Sequence, residues 1–320
     1  MMEECQPVVS VVMPCHNDGA YLHKAVDSAL NQTFSALEVM VVDDGSDDEA
    51  TCAALAGLKD SRVRLLHTDH VGPAQARNAA IREARGRYIL PLDADDWISP
   101  AYVARAVEVL DSRPEVGVVY CRADLFGEKS GPWRLPDFSM DTFLVDNCIF
   151  ITALFRREDR EAVGGFCPDF RHGLEDYDFW LSLVERGRQV HQLPECFFDY
   201  RIKPASRSRQ LTSDVKNTQA TYDLLYQRHR ALYQAHMDAC IQGLHWELIV
   251  QRYRNDDTGA RAGDPVAECR QSIRLGRPRL ARAVETMMRG AQGARKALRR
   301  MLAGLRRRAI TLRFLTETIS

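Results

Sequence analysis

Apolar positions cluster along this chain in short runs separated by helical stretches. Val8-Val9-Ser10-Val11-Val12-Met13-Pro14 is an almost unbroken apolar run of strand length and predicts a buried β-strand. It leads into Cys15-His16-Asn17-Asp18-Gly19 and then a helical pattern through about Asn31. Leu37-Glu38-Val39-Met40-Val41-Val42 predicts a second strand, which ends in Asp43-Asp44-Gly45-Ser46. Gly72-Pro73-Ala74-Gln75-Ala76-Arg77-Asn78 opens a helix that precedes a third strand, Arg87-Tyr88-Ile89-Leu90-Pro91-Leu92. That strand runs into Asp93-Ala94-Asp95-Asp96-Trp97, and Ser99-Pro100 supplies an N-cap and first-turn proline for a further helix.

The pattern then weakens. Residues 121–147, including Gly131-Pro132-Trp133 and Pro136-Asp137, have little periodicity and predict either a loop-rich lid or an ordinary surface excursion. Strand character returns over Cys148–Arg157, and a helix is expected to end near Gly187. After Arg209 the chain reads as helix, with Thr221–Tyr253 the densest part and Gly243 a candidate break. Asn255-Asp256-Asp257-Thr258-Gly259 is a turn cluster, and Asp264-Pro265 starts a short helix that stops near Pro278. The expected organisation is a domain over 1–209, a helical extension over 210–280 and a basic tail over 281–320.

Composition narrows the field. With 320 residues, 45% of them hydrophobic, the chain can bury one large core and an appended unit. A net charge of −1 gives no general argument for nucleic-acid binding, and none is expected. Nine cysteines without a C-x-x-C pair, and no signal-peptide pattern, predict reduced thiols in the cytoplasm. His67 and His70 have no partner at zinc-ligand spacing. No apolar run reaches the ~18 residues needed to cross a membrane as a helix. The tail carries ten Arg or Lys against Glu285 and Glu317, a net +8. Its apolar residues recur at helical spacing, as in Val284, Met287, Met288 and Ala291. Such a segment fits an anionic membrane surface, placing the protein peripherally on the inner face of the cytoplasmic membrane. Docking on the acidic body or on a second subunit fits it equally.

The strongest chemical signal is three carboxylates within four positions, Asp93, Asp95 and Asp96. In an extended chain Asp93 and Asp95 share a face, and such a pair calls for a cation between them. Oxygen-only ligands favour Mg²⁺ or Mn²⁺ with positions left for phosphate. The competing reading is a solvated acidic turn. An EF-hand loop is excluded by its missing glycine and distal glutamate.

The order Pro14-x-x-Asn17, Asp43-Asp44-Gly45-Ser46, Gly72 to Ala76-Arg77-Asn78, then Leu92-Asp93-Ala94-Asp95-Asp96 resembles the family 2 glycosyltransferases with the GT-A fold. The resemblance covers about residues 8–205. It implies an α/β, Rossmann-like open mixed sheet flanked by helices, here with an α-helical C-terminal extension. It also implies a nucleotide-sugar donor, most often UDP-linked. Asp44 would accept the uracil imide N–H, and Arg77 would stack on the base or pair with phosphate. Pro14, His16 and Asn17 would line the same pocket, with His16 where many relatives carry tyrosine. Asp95 would hold Mn²⁺ or Mg²⁺, with Asp93 on ribose or metal-bound water. Val163-Gly164-Gly165-Phe166 and Leu174-Glu175-Asp176-Tyr177-Asp178-Phe179-Trp180 look like the family's G-G-F and E-D-x-D-x-W segments. By that match Asp176 is the catalytic base, Glu175 a supporting residue, and Asp178 a supporting or solvent-facing one. Tyr200-Arg201-Ile202-Lys203-Pro204-Ala205-Ser206 resembles a motif in which a histidine often stands at the Lys203 position. Lys203 or Arg201 would then neutralise the leaving diphosphate.

The activity so implied is inverting, metal-dependent transfer of one sugar to a hydroxyl of a glycan or lipid-linked glycan. Bacterial lipopolysaccharide or capsule assembly is the expected setting. The Q-x-x-R-W motif of processive members is absent, which favours single addition. A nucleotidyltransferase is the first alternative, but its glycine-rich basic triphosphate loop is missing. A non-catalytic nucleotide-sugar-binding scaffold is the second, and it has no need of both Asp95 and Asp176.

Overall fold

The computed structural model describes residues 6–204, 211 and 214–245. Ser206, the turn cluster at 255–259, the helix expected from Asp264 and the basic tail at 281–320 lie outside them.

The first apolar run forms β1 (Val9–Cys15), buried along nearly all its length because both faces of the sheet are covered. It pairs in parallel with β2 (Leu37–Asp44) and β4 (Tyr88–Pro91), and β2 pairs in parallel with β3 (Val63–Thr68). In this register Cys15 lies opposite Asp43 and Val12 opposite Pro91, so β1, β2 and β4 all finish at one edge. The other half of the sheet is of mixed direction. β8 (Leu154–Arg156) runs antiparallel to both β4 and β6 (Val116–Gly127). β9 (Gln189–Ile202) is parallel to β6, and the short β5 (Trp97–Ile98) is antiparallel to β9. The strand order is β3-β2-β1-β4-β8-β6-β9-β5, with β7 (Gly131–Trp133) added as a hairpin on β6. An open mixed α/β sheet of this kind places its ligand crevice at the carboxyl ends of the parallel strands.

Helices α1 (Gly19–Leu30), α2 (Glu49–Ala56), α3 (Pro73–Glu83), α4 (Tyr102–Ser112), α5 (Met140–Phe143), α6 (Arg157–Val163) and α7 (Glu175–Glu185) complete the body. Leu22, Ala25, Val26 and Ala29 form the buried stripe of α1, and Ala76, Ala80 and Ile81 that of α3. The small alanines bring α3 close to β1 and β2, while Val, Met and Leu of the strands fill the layer between. Each fully buried Val, Leu or Met side chain contributes about 1.5–3 kcal/mol.

Four local expectations are corrected. Helix α4 begins at Tyr102, so Ser99 is not its cap. Instead the Ser99 amide donates to the Phe197 carbonyl, and Gln32, beyond the end of α1, accepts from the Val103 amide. Residues 121–127 are not loop but the second half of β6, whose ladder is completed by β9 on one side and the β7 hairpin on the other. Over Cys148–Arg157 only Leu154–Arg156 pairs as strand. The extension is interrupted at His229 between α8 (Val215–Arg228) and α9 (Arg230–Ala235), not at Gly243. Gly243 lies within helical residues 237–245, where a Cβ would come within 2.5 Å of the Asp141 carbonyl of α5. Its missing side chain permits close packing.

Candidate active site

The shared edge of β1, β2 and β3 builds a first pocket wall. Asp44, the last residue of β2, is 3% exposed. Its Oδ1 accepts from Thr68 Oγ1 (2.7 Å) and the Val71 amide (2.7 Å), and Oδ2 accepts from the Gly72 amide (2.8 Å). A carboxylate has about four acceptor positions, so one remains on Oδ2 for a further donor. Gly72 has φ 85° and leads into Pro73 at the start of α3, so Asp44 pins the loop that launches that helix. Gly45 is held at φ 70°, and a Cβ on it would press into the His70 amide at 2.9 Å.

His16 Nδ1 lies 2.9 Å from the Asp44 carbonyl, and its ring centroid is 4.1 Å from that of His70. Both imidazoles are exposed at the mouth of the Asp44 pocket. His70 was not anticipated at this site, because only the fold of the loop after β3 brings it over β2. Pro14 is half-buried in β1 beside Val42. Asn17, at φ 56°, turns its amide to the loop after β2: Nδ2 donates to Asp47 Oδ1 (2.7 Å), and Oδ1 accepts from the Asp47 amide (3.0 Å). Asn17 therefore shapes the pocket rim through that loop. His67 lies 3.2 Å from Asp43, and among the described residues no group of three His, Cys, Asp or Glu side chains converges as a metal cage.

The acidic segment after β4 is a turn rather than an extended strand, closed by the Asp96 amide on the Asp93 carbonyl. Its carboxyls part company. Asp93 Oδ1 is 2.6 Å from Arg77 Nη2. Asp95 Oδ2 is 2.9 Å from Lys203 Nζ. Asp96 is fully buried, accepts from the Arg201 amide (2.7 Å) on Oδ1, and among the described residues has no partner for Oδ2. Burial, then the charges of Asp95 and Asp93, push the Asp96 carboxyl well above its ordinary range. Burial and the Asp93 charge also push Asp95 up, while Lys203 opposes the shift.

Lys203 Nζ is also 2.8 Å from Asp18 Oδ1. Burial alone would lower the lysine, but its hydrogen bonds to Asp18 and Asp95 outweigh that and raise it. Asp18 is the residue sequence reasoning passed over. It stands at the N-cap of α1 yet makes no side-chain cap there, its carboxylate being turned to the lysine instead. Arg201 does not reach outward to a diphosphate. Its Nε donates to the Asp95 carbonyl, and its guanidinium packs on the rings of Tyr21 (3.9 Å) and Phe126 (4.5 Å).

Arg77 is likewise corrected. It is 2% exposed, with Nη2 on Asp93 and Nη1 3.0 Å from Glu175 Oε1, so both terminal nitrogens are taken by carboxylates rather than offered to a base or phosphate. Burial would lower its pKa, but the two charges raise it and fix the guanidinium as a cation. The neighbouring Asn78 donates to the Phe166 carbonyl (2.7 Å) and accepts from the Phe166 amide (3.0 Å). Gly165 has φ 84°, and a Cβ there would fall 2.4 Å from Asn78 Oδ1. One turn of α3 thus grips the Gly-Gly-Phe segment and ties the Asp93 turn to the start of α7.

Asp176 is the second residue of α7, half-buried. Its Oδ1 accepts from the Tyr177 amide (2.7 Å), and Asn147 Nδ2 lies 3.4 Å from Oδ2. Its place in the first turn sets the carboxyl at the positive end of the helix dipole. Asp178 does not face solvent: it is 1% exposed, with Oδ1 2.6 Å from Arg228 Nε and 3.0 Å from His229 Nε2. It anchors the junction of α8 and α9 to α7.

The mixed sheet and the carboxylates gathered along its carboxyl edge define the GT-A class of glycosyltransferase folds. The chain belongs to glycosyl transferase family 2, whose profile matches residues 10–177. Among its relatives, the succinoglycan biosynthesis protein ExoO of Rhizobium meliloti is 32% identical over 245 residues, covering 71% of this chain and 70% of ExoO. Chondroitin synthase of Pasteurella multocida is 31% identical over 197 residues, 60% of this chain. The chain spans only 20% of that synthase, and 23% of the uncharacterized protein y4gI of Sinorhizobium fredii, to which it is 32% identical. Among solved structures, S. aureus TarS 1-349 in complex with UDP superposes with a TM-score of 0.60 at 18% identity, covering 87% of this chain and 80% of TarS. The mannosyltransferase PcManGT of Pyrobaculum calidifontis, in complex with GDP-Man and Mn²⁺, gives 0.55 at 20% identity, covering 88% and 85%.

Proposed function

We propose that this protein is an inverting glycosyltransferase that moves one sugar from a nucleoside diphosphate sugar, UDP-linked, to a hydroxyl of a growing bacterial polysaccharide. The observation that carries the reading is the buried Arg77 bridge. One guanidinium holds Asp93 of the acidic turn at 2.6 Å and Glu175, the neighbour of Asp176, at 3.0 Å. Carboxylates suited to a phosphate-bound cation and a carboxylate suited to a base are therefore parts of one rigid site, whereas a binding scaffold needs only the first. ExoO and chondroitin synthase are named for polysaccharide assembly, which supports the acceptor class.

In this mechanism Asp44 offers its remaining acceptor position to the imide N–H of the base, and His16 and His70 border it. Asp176, oriented by Asn147, takes the proton from the acceptor hydroxyl. The acceptor oxygen attacks the anomeric carbon from the face opposite the diphosphate, the new C–O bond forms as the old one breaks, and the configuration inverts. General-base assistance of this kind is worth about 10²–10⁴ in rate.

The donor chemistry of Asp95 and Asp93 fits a divalent ion, Mn²⁺ or Mg²⁺. A cation, the Lys203 ammonium, already sits against Asp95. When bound, the ion would supply charge neutralisation at the departing diphosphate.

The test is calorimetry with UDP, GDP and their sugars, beside an assay of nucleotide release, on the wild type and Asp176→Asn. The expected outcome is retained UDP binding and a loss of transfer of about 10²-fold or more in the variant. Near-normal transfer by Asp176→Asn removes the assigned base. Preference for GDP removes the uridine assignment.

A further inference from the structure

We propose that Lys203 is a built-in counter-ion that holds the cation position of Asp95 until the donor arrives, making metal loading conditional on the nucleotide. The inference rests on the donor-site reading above and goes beyond it, because it concerns the unloaded enzyme.

Each carboxyl of the acidic turn already has a partner within the protein. Asp93 is paired with Arg77, Asp96 accepts from the Arg201 amide, and Asp95 faces the Lys203 ammonium at 2.9 Å. A divalent ion entering against Asp95 meets a positive charge at hydrogen-bond distance from the oxygen it needs. Lysine has no lone pair to offer such an ion while charged, so Lys203 competes with it rather than joining its ligands.

The placement is not the chance reach of a flexible side chain. Lys203 follows directly on β9, and the two bonds of Arg201, amide to Asp96 Oδ1 and Nε to the Asp95 carbonyl, fix the backbone immediately before it. The second anchor is independent. Asp18 gives up the cap of its own helix and bonds Lys203 instead. The ammonium thus joins the start of α1 on one side of the crevice to the acidic turn on the other. Diphosphate brings further negative charge able to draw Lys203 off Asp95. Nucleotide and ion should therefore bind with positive coupling, and the coupling should depend on the charge at position 203.

The experiment titrates the full chain with Mn²⁺ alone, then with Mn²⁺ at saturating UDP, following bound ion by calorimetry and by loss of the free-Mn²⁺ electron paramagnetic resonance signal. Wild type, Lys203→Met and Lys203→Arg are compared. Lys203 is partly exposed, and methionine keeps most of its length without the charge, so both variants are expected to fold; circular dichroism checks this. Without nucleotide, Lys203→Met should bind Mn²⁺ about tenfold or more tightly than wild type, since a unit charge beside the ligand oxygen is gone. Lys203→Arg should stay near wild type. UDP should tighten Mn²⁺ binding by a larger factor in wild type than in Lys203→Met. Equal or weaker Mn²⁺ binding by Lys203→Met overturns the counter-ion role, and UDP-dependent Mn²⁺ binding by wild type in that case leaves the donor-site reading standing. Tightening by Lys203→Arg as large as by Lys203→Met also overturns it, because charge would not be the cause. No Mn²⁺ binding by any of the three, with or without UDP, overturns both.

Discussion

At the residue scale, the site is governed by how many donors and charges each carboxylate already has. Asp44 is the clearest case: three of its acceptor positions hold a loop and one is left over. Replacing it with alanine orphans the Val71 and Gly72 amides, each at a cost of about 1–3 kcal/mol. The expected outcome for Asp44→Ala is faster hydrogen exchange at those two amides and UDP affinity reduced about tenfold or more, read by mass spectrometry and calorimetry. Unchanged exchange at Val71 and Gly72 would show that the loop does not depend on the carboxylate. Arg77 makes the complementary point. An arginine with two carboxylates at hydrogen-bond distance is a brace, and its contribution to chemistry passes through the groups it positions.

At the scale of elements, α7 is the part on which function and stability meet. Its first turn carries Glu175 to Arg77 and Asp176 toward the crevice, while Asp178, two residues after Asp176, turns into the α8–α9 junction. The base is thereby held from both sides, by α3 through Arg77 and by the C-terminal helices through Arg228 and His229. Removing one member of a buried pair leaves the other uncompensated. For Asp178→Ala a loss of about 2–3 kcal/mol is expected, below the full range for a buried pair because the Arg228 side chain is 38% exposed. A urea midpoint measures the loss, and limited proteolysis should cut within α8 and α9 first. A variant with wild-type midpoint and wild-type cleavage would detach these helices from the account of α7.

At the scale of the whole molecule, the body is a single layer of apolar strands whose buried thiols and phenols resist ionisation. Burial pushes Cys15 and Cys148 from an ordinary 9.0 up to about 12. It raises the Tyr102 and Tyr177 hydroxyls as well. All four are raised in the folded state, so the unfolded chain releases these protons first. The stability they support is fully present below about pH 9 and is lost as pH rises toward 12. The urea midpoint should therefore hold near pH 8 and fall progressively through pH 9.5 and 10.5. A flat profile across that interval would contradict the burial of these groups.

Three strands of the parallel half, β1, β2 and β4, were legible in the chain itself, since strands buried on both faces read as near-continuous apolar runs. So was the approximate place of Asp44, Asp95 and Asp176, because turn and helix-start residues announce where such elements end. Strand β6 beyond Cys121 was not, because its residues lack alternation and are held in the sheet by β9 and β7 rather than by their own pattern. The partners of Arg77, Asp178 and Lys203 were decided only by the tertiary structure. An arginine or aspartate on a helix reads the same whether it meets water or a carboxylate from a distant segment, and packing alone determines which. The residue types and their order specified the chemistry at hand; the fold decided which charges cancel and which are left to meet a ligand.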